Sequence, residues 1–146
     1  MSSSRADHRR CGRCSANRGN EAIRPPVAPV ELRLREFWAL FDAKDYEALL
    51  AMMTVDALET DDFAKVWLRG HAAIRENYAR IGELSDESHT VLRDVRVTES
   101  SAIAVVTCLV HYQMRWRGQA TSVDAPTTMI FVRESGAWSV ALLHTK

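Results

Sequence analysis

The chain has 146 residues, with 19 basic and 19 acidic side chains, no formal net charge, and 47% hydrophobic residues. That length suits one globular domain, and no apolar run approaches the roughly 18 residues of a membrane span. The balance hides an asymmetry: Arg5, Arg9, Arg10, Arg13, Arg18 and Arg24 crowd the first 28 residues against Asp7 and Glu21, leaving an acidic remainder. An acidic body argues against nucleic acid as a partner. The N-terminus also lacks the apolar core of a secretory leader, so a cytoplasmic protein without membrane association is expected.

Residues 1–28 hold few large apolar side chains and run into Pro25, Pro26 and then Pro29. Such a segment buries too little surface to offset its ordering entropy, so a disordered basic tail is expected. Within it "HRRCGRC" places His8, Cys11 and Cys14 at ligand-like spacing. A structural zinc site needs a second pair and a redox CxxC needs a βαβ setting; the sequence supplies neither, and no metal is expected.

From Pro29 the pattern changes. Val30, Leu34, Phe37, Trp38 and Phe41 mark one face of a helix. "DAKD" breaks it, and Asp45 is a suitable N-cap for a shorter helix through "YEALLAMM". "TVDALETDDF" reads as an irregular or extended exit and "VWLRG" as a short β-type piece. "HAAIRENYARIG" is a third helix, with Ile74, Tyr78 and Ile81 on one face and Gly82 as its C′ residue. After Gly82 the period becomes 2, giving four long strands separated by "ESS", "RG" and "ESG". In the second of these, Tyr112 and Trp116 share the apolar face while His111 lies opposite. Asp124, close to Pro126, is expected at an exposed edge or bulge. Helices followed by antiparallel strands predict an α+β domain over residues 29–146, three N-terminal helices packed on one curved sheet.

"FWALFDAKDYEALLAMM", "RGHAAIRENYARI" and "GAWSVALLHTK" together resemble the nuclear transport factor 2-like superfamily, within it the SnoaL-like and ketosteroid isomerase-like proteins. The resemblance covers residues 30–146. It implies a cone-shaped fold in which helices close a concave sheet over an apolar cavity, the usual setting for a ligand. It also places Asp61 where isomerase-type members keep a proton-shuttling carboxylate. The sequence departs from the isomerase pattern at Phe37, where a Tyr donor is expected, and near Thr128 and Met129, where an acidic donor is expected. Steroid isomerisation is disfavoured on that ground.

Adjacent Asp61 and Asp62 point to opposite sides of an extended chain. The alternation Leu58, Thr60, Asp62 against Glu59, Asp61, Phe63 does not decide which set faces inward; a solvated turn is the alternative for both. His144 falls on the face of Trp138, Val140 and Leu142, and SnoaL-like chains often keep a His near this strand's end. The resemblance thus implies Asp61 and His144 as an acid–base pair, with Trp38, Trp67, Tyr78, Tyr112 and Trp116 around a small hydrophobic molecule. Core packing is the alternative reading of each aromatic residue. His71 is expected to be structural.

No Ser-His-Asp order, HExxH, GxSxG or dinucleotide motif is present. The expected function is cofactor-independent proton transfer (isomerisation, cyclisation or dehydration) on a small hydrophobic carbonyl compound. The alternative is a non-catalytic ligand-binding or oligomerisation module of the same fold. A homodimer through the exposed sheet face suits either.

Overall fold

The computed structural model describes residues 29–146; the tail expected over 1–28, with His8, Cys11 and Cys14, lies outside the described residues. Helix α1 spans Pro29–Asp42 and α2 spans Tyr46–Ala51. Strands β1 (Met53–Asp61) and β2 (Val66–Arg69) precede helix α3 (Gly70–Leu84). Strands β3 (Ser85–Glu99), β4 (Ile103–Trp116), β5 (Gln119–Glu134) and β6 (Ala137–Thr145) complete the chain. One six-stranded sheet runs in the order β2-β1-β6-β5-β4-β3. Only the β1–β6 pairing is parallel.

The α+β class is as expected, but the helices do not all come first. "TVDALETDDF" supplies most of strand β1, and α3 follows a two-stranded hairpin. The reason lies in the first half of β1, where Met53 and Thr54 are both buried while Val55 and Asp56 are both exposed. Its pairing with β6 also shifts register between Met53 and Leu58. Burial alternates only from Ala57, and there the inward set is Ala57, Glu59 and Asp61, so no apolar alternation announces a strand.

Apolar spacing drives α1 as read: Val30, Leu34, Phe37, Trp38 and Phe41 are all buried. Pro29 opens it at a position where a missing N–H costs nothing. At its C-terminus Asp42 sits where the helix dipole disfavours an acid. Three hydrogen bonds offset this, from Ser88 Oγ, the Thr90 N–H and Thr90 Oγ1, each 2.7 Å. They pin α1 to β3. Asp45 caps α2 by accepting from the Ala48 N–H at 3.2 Å.

Gly82 lies inside α3 rather than after it. A Cβ there would fall 3.0 Å from a ring carbon of Tyr46, so the residue serves close approach and not a left-handed turn. The Lys44 ammonium instead satisfies the helix end, donating to the Gly82 carbonyl at 3.0 Å and to the Ser85 carbonyl.

Strand β6 carries a one-residue irregularity with large consequences. Ile130 pairs with Leu142 and Phe131 with Val140, leaving Ala141 unpaired. Trp138 and Val140 are buried before it, and Leu143 is buried after it. The bulge therefore moves His144 off the face of Trp138, which uninterrupted alternation assigned to it.

Replacing Asp42 by Ala removes three acceptor contacts at once. Urea unfolding at neutral pH is expected to show a loss of about 2–3 kcal/mol, with Asp42→Asn retaining part of it. An unchanged midpoint in Asp42→Ala would mean the contacts are not formed in solution.

Candidate active site

Helices α1 and α3 cover the concave face of the sheet except near the ends of β1, β4, β5 and β6. There an apolar cleft of about 300 Å³ remains, bordered by Trp38, Phe41, Tyr78, Tyr112, Trp116 and Leu143, with Glu59 and Asp61 also in its lining. Four of the five aromatic residues expected around a ligand thus share one cleft. The fifth, Trp67, is 48% exposed on β2. It pairs with Thr60, on the face opposite Glu59 and Asp61, and its ring stacks on His144 at 5.9 Å. Trp67 therefore does not shape the cleft.

Strand β1 decides between the two alternating sets. From Ala57 onward, Ala57, Glu59 and Asp61 are buried while Leu58 and Thr60 are less so. Asp61 faces inward, and its carboxylate is fully engaged. Oδ1 accepts from the Phe63 and Ala64 N–H groups at 2.9 and 3.0 Å, closing the β1–β2 turn. Oδ2 accepts from the Arg80 guanidinium at 2.5 Å, which also donates to Asn77 Oδ1 at 2.6 Å. Burial pushes the Asp61 carboxyl up, but the Ala64 N–H, Arg80 and the Phe63 N–H outweigh it and hold the group below its usual range. A carboxylate so stabilised is a weak base. Asp62, for which a solvated turn was the alternative, is half-buried in the cleft lining and accepts a hydrogen bond from Thr145 Oγ1.

Asp61 and His144 do not meet in the apolar cleft. Both border a shallow open groove beside the β1–β2 hairpin, but His144 is absent from the cleft lining. The Ala141 bulge accounts for this separation.

Glu59 is the residue that reasoning from sequence passed over. Its side chain is 5% exposed, and its Oε2 accepts from the Tyr78 hydroxyl at 2.6 Å. Burial pushes the Glu59 carboxyl up to about 8; the Tyr78 hydrogen bond acts the other way, and nearby Asp61 and Asp62 add to the rise. At neutral pH the group is predominantly protonated. Burial, followed by the influence of Glu59, holds the Tyr78 phenol well above its ordinary value, so it stays a donor. The available signal was parity: Glu59 lies two residues before Asp61 and shares its face.

The remaining walls are aromatic. Tyr112 meets Trp38 edge-on at 5.5 Å and Phe41 at 6.2 Å. At the mouth, Phe63 from the β1–β2 turn stacks on Trp116 at 5.2 Å with an interplanar angle of 8°. The indole Nε1 of Trp38 is buried without a hydrogen-bond partner among the described residues. The arrangement can hold a flat apolar body and present a neutral carboxylic acid to it. His71, expected as structural, places Nε2 3.2 Å from the Met53 carbonyl oxygen and ties α3 to β1.

Several solved structures share the fold. A nuclear transport factor 2-like (NTF2-like) family protein from Streptomyces avermitilis, carrying a provisional dehydratase name, is 18% identical, with TM-score 0.74 over 80% of this chain and 92% of that one. A protein from Novosphingobium aromaticivorans, provisionally named a scytalone dehydratase, is 15% identical, with TM-score 0.73 over 81% and 80%. The CaMKII hub of S. rosetta is 20% identical, with TM-score 0.72 over 83% and 98%. At these identities the likeness is one of fold. No curated protein gives a significant sequence match. The sequence model of the SnoaL-like domain matches residues 30–145, nearly the whole described chain, and the protein belongs to the SnoaL-like domain family.

Proposed function

We propose that the cleft binds a small, neutral, flat carbonyl compound and moves a proton on it, with Glu59 as the proton-carrying group. One observation carries this reading: a carboxylic acid with a pKa near 8 in the wall of an apolar cleft. A value close to neutrality lets one group donate and accept a proton within a cycle. Ionised Glu59 removes a proton from the carbon beside the carbonyl; Glu59, now protonated, hydrogen-bonds the enolate oxygen and then delivers that proton to another carbon. Tyr78 positions the carboxyl and favours its ionised form by hydrogen bonding. Asp61 shapes the β1–β2 turn and, with Asp62, disfavours anionic ligands. A cleft of about 300 Å³ suits a molecule on the order of one or two rings. No cofactor enters this scheme.

The second reading, an assembly module, rests on the outer face of the sheet. Ile103 and Val105 on β4 and Val91 on β3 are 49%, 38% and 36% exposed, and CaMKII hub domains are among the similar folds. A homodimer through this face is compatible with either reading. If it forms, Val105→Glu should convert a dimer to a monomer in light scattering, while wild-type protein that is already monomeric would remove the proposal.

Glu59 makes a signed prediction for stability. Its pKa is raised from 4.5 to about 8 on folding, so its contribution is full below pH 4.5 and is lost as pH rises to about 8. Over that window stability should fall by up to ~1.4 kcal/mol per pH unit from this group alone. Urea midpoints at pH 5 and pH 8 should diverge in wild type and converge in Glu59→Gln. Equal divergence in both would assign the slope to another group.

In Tyr78→Phe the loss of the donor should raise the Glu59 titration further and cost about 1–3 kcal/mol. Chemically, deuterium uptake from D2O into a panel of small cyclic ketones should accelerate with wild-type protein. Glu59→Gln should slow it by roughly 10²–10⁴-fold. Ketones that bind in thermal-shift assays without exchanging would favour a binding module.

A further inference from the structure

The outer face of the sheet carries a constellation that the cleft does not use. His111 on β4 and Asp124 on β5 are direct cross-strand partners, with His111 Nδ1 2.7 Å from Asp124 Oδ1. Two residues back along β5, on the same face, Ser122 Oγ lies 3.3 Å from His111 Nε2. The His111 side chain is 15% exposed and that of Asp124 54%. A carboxylate on Nδ1 holds the proton there and leaves the Nε2 lone pair facing the serine hydroxyl, the relation that activates a serine nucleophile. The chain order is His111, Ser122, Asp124, so motifs that depend on sequence order miss it; geometry defines such a site.

The surroundings supply the remaining parts. A groove of about 550 Å³ begins at Ser122 and is bordered by Gln113, Arg115 and His89. Ser122 lies within a strand, where backbone N–H groups point along the sheet and cannot cradle an oxyanion above it. Side chains must do so: Gln113 is the direct cross-strand partner of Ser122, and Arg115 follows on the same face, its guanidinium donating to the Gly118 carbonyl at 3.3 Å. Both offer N–H donors beside the groove. The apolar outer surface reaches the constellation on one side, where Val91 on β3 is the direct cross-strand partner of His111, while Val105 lies six residues away along β4, about 20 Å.

We propose that Ser122, His111 and Asp124 form a second catalytic centre, independent of the cleft, that transfers the acyl group of small activated esters to water. Ser122 Oγ bonds to the acyl carbon as its proton passes to His111 Nε2 and the carbonyl pair moves to oxygen. Collapse breaks the ester bond, and the departing alkoxide takes the proton from His111. Water then attacks the acyl-serine, giving a proton to His111; the carboxylic acid leaves and Ser122 recovers its proton. Ser122 and His111 are the catalytic residues, and Asp124 is a positioning residue.

The test treats the full chain with a fluorophosphonate probe, maps the adduct by peptide mass, and follows p-nitrophenyl acetate hydrolysis. A single adduct on Ser122 is expected, absent in Ser122→Ala, with labelling at least about tenfold slower in His111→Ala. Asp124→Asn should lower kcat with KM unchanged, whereas Glu59→Gln should leave labelling and hydrolysis unaltered. No adduct on folded wild-type protein, an adduct at another residue, or equal hydrolysis by Ser122→Ala would overturn the assignment.

Discussion

Burying the Glu59 carboxyl between the sheet and α3 imposes a condition on everything around it. A charge there would lack the water that stabilises it, so the group keeps its proton to about pH 8 and takes a hydrogen bond from Tyr78. That bond joins β1 to α3, the helix that roofs the cleft. Tyr78 also packs against Tyr46, with ring centroids 5.3 Å apart, and the Tyr46 ring is the one seated on Gly82. The glycine inside α3, the aromatic stack and the protonated acid therefore form one connected arrangement.

Two carboxylates two residues apart show how environment divides labour within one strand. Asp61 gains two backbone N–H groups and a guanidinium, so its charged form is favoured and its task is to shape a turn. Glu59 gains a single phenolic donor, too little to offset its burial, so its neutral form is favoured. Position in the family pattern points to Asp61, whereas the physical chemistry points to Glu59. The difference between an engaged anion and a poised acid is set by partners distant in sequence.

The sheet has two chemically different faces. The concave side meets the helices and leaves an aromatic-walled cleft. The outer side combines apolar residues toward one end of β4 with His111, Gln113 and Arg115 toward the other. Because direct and diagonal cross-strand neighbours lie within side-chain reach, the β4–β5 register alone brings Ser122, His111 and Asp124 together.

The helical face of α1, the Asp45 cap, the later strands and the α+β class were legible from the sequence, because each is a local pattern of period or capping. Four cleft aromatics were legible too, since apolar helix and strand faces point to a common core. Strand β1 was hidden because its first half lacks alternation, and Gly82 was misread because the ring that requires it belongs to a different helix. His144 was misassigned because a single bulge at Ala141 inverts the parity of the residues after it. The amino-acid sequence by itself determined which residues could pack or titrate. Tertiary structure decided that Glu59 is dry, that Asp61 is engaged, and that Ser122 lies against His111, because burial and register are relations between distant segments of the chain.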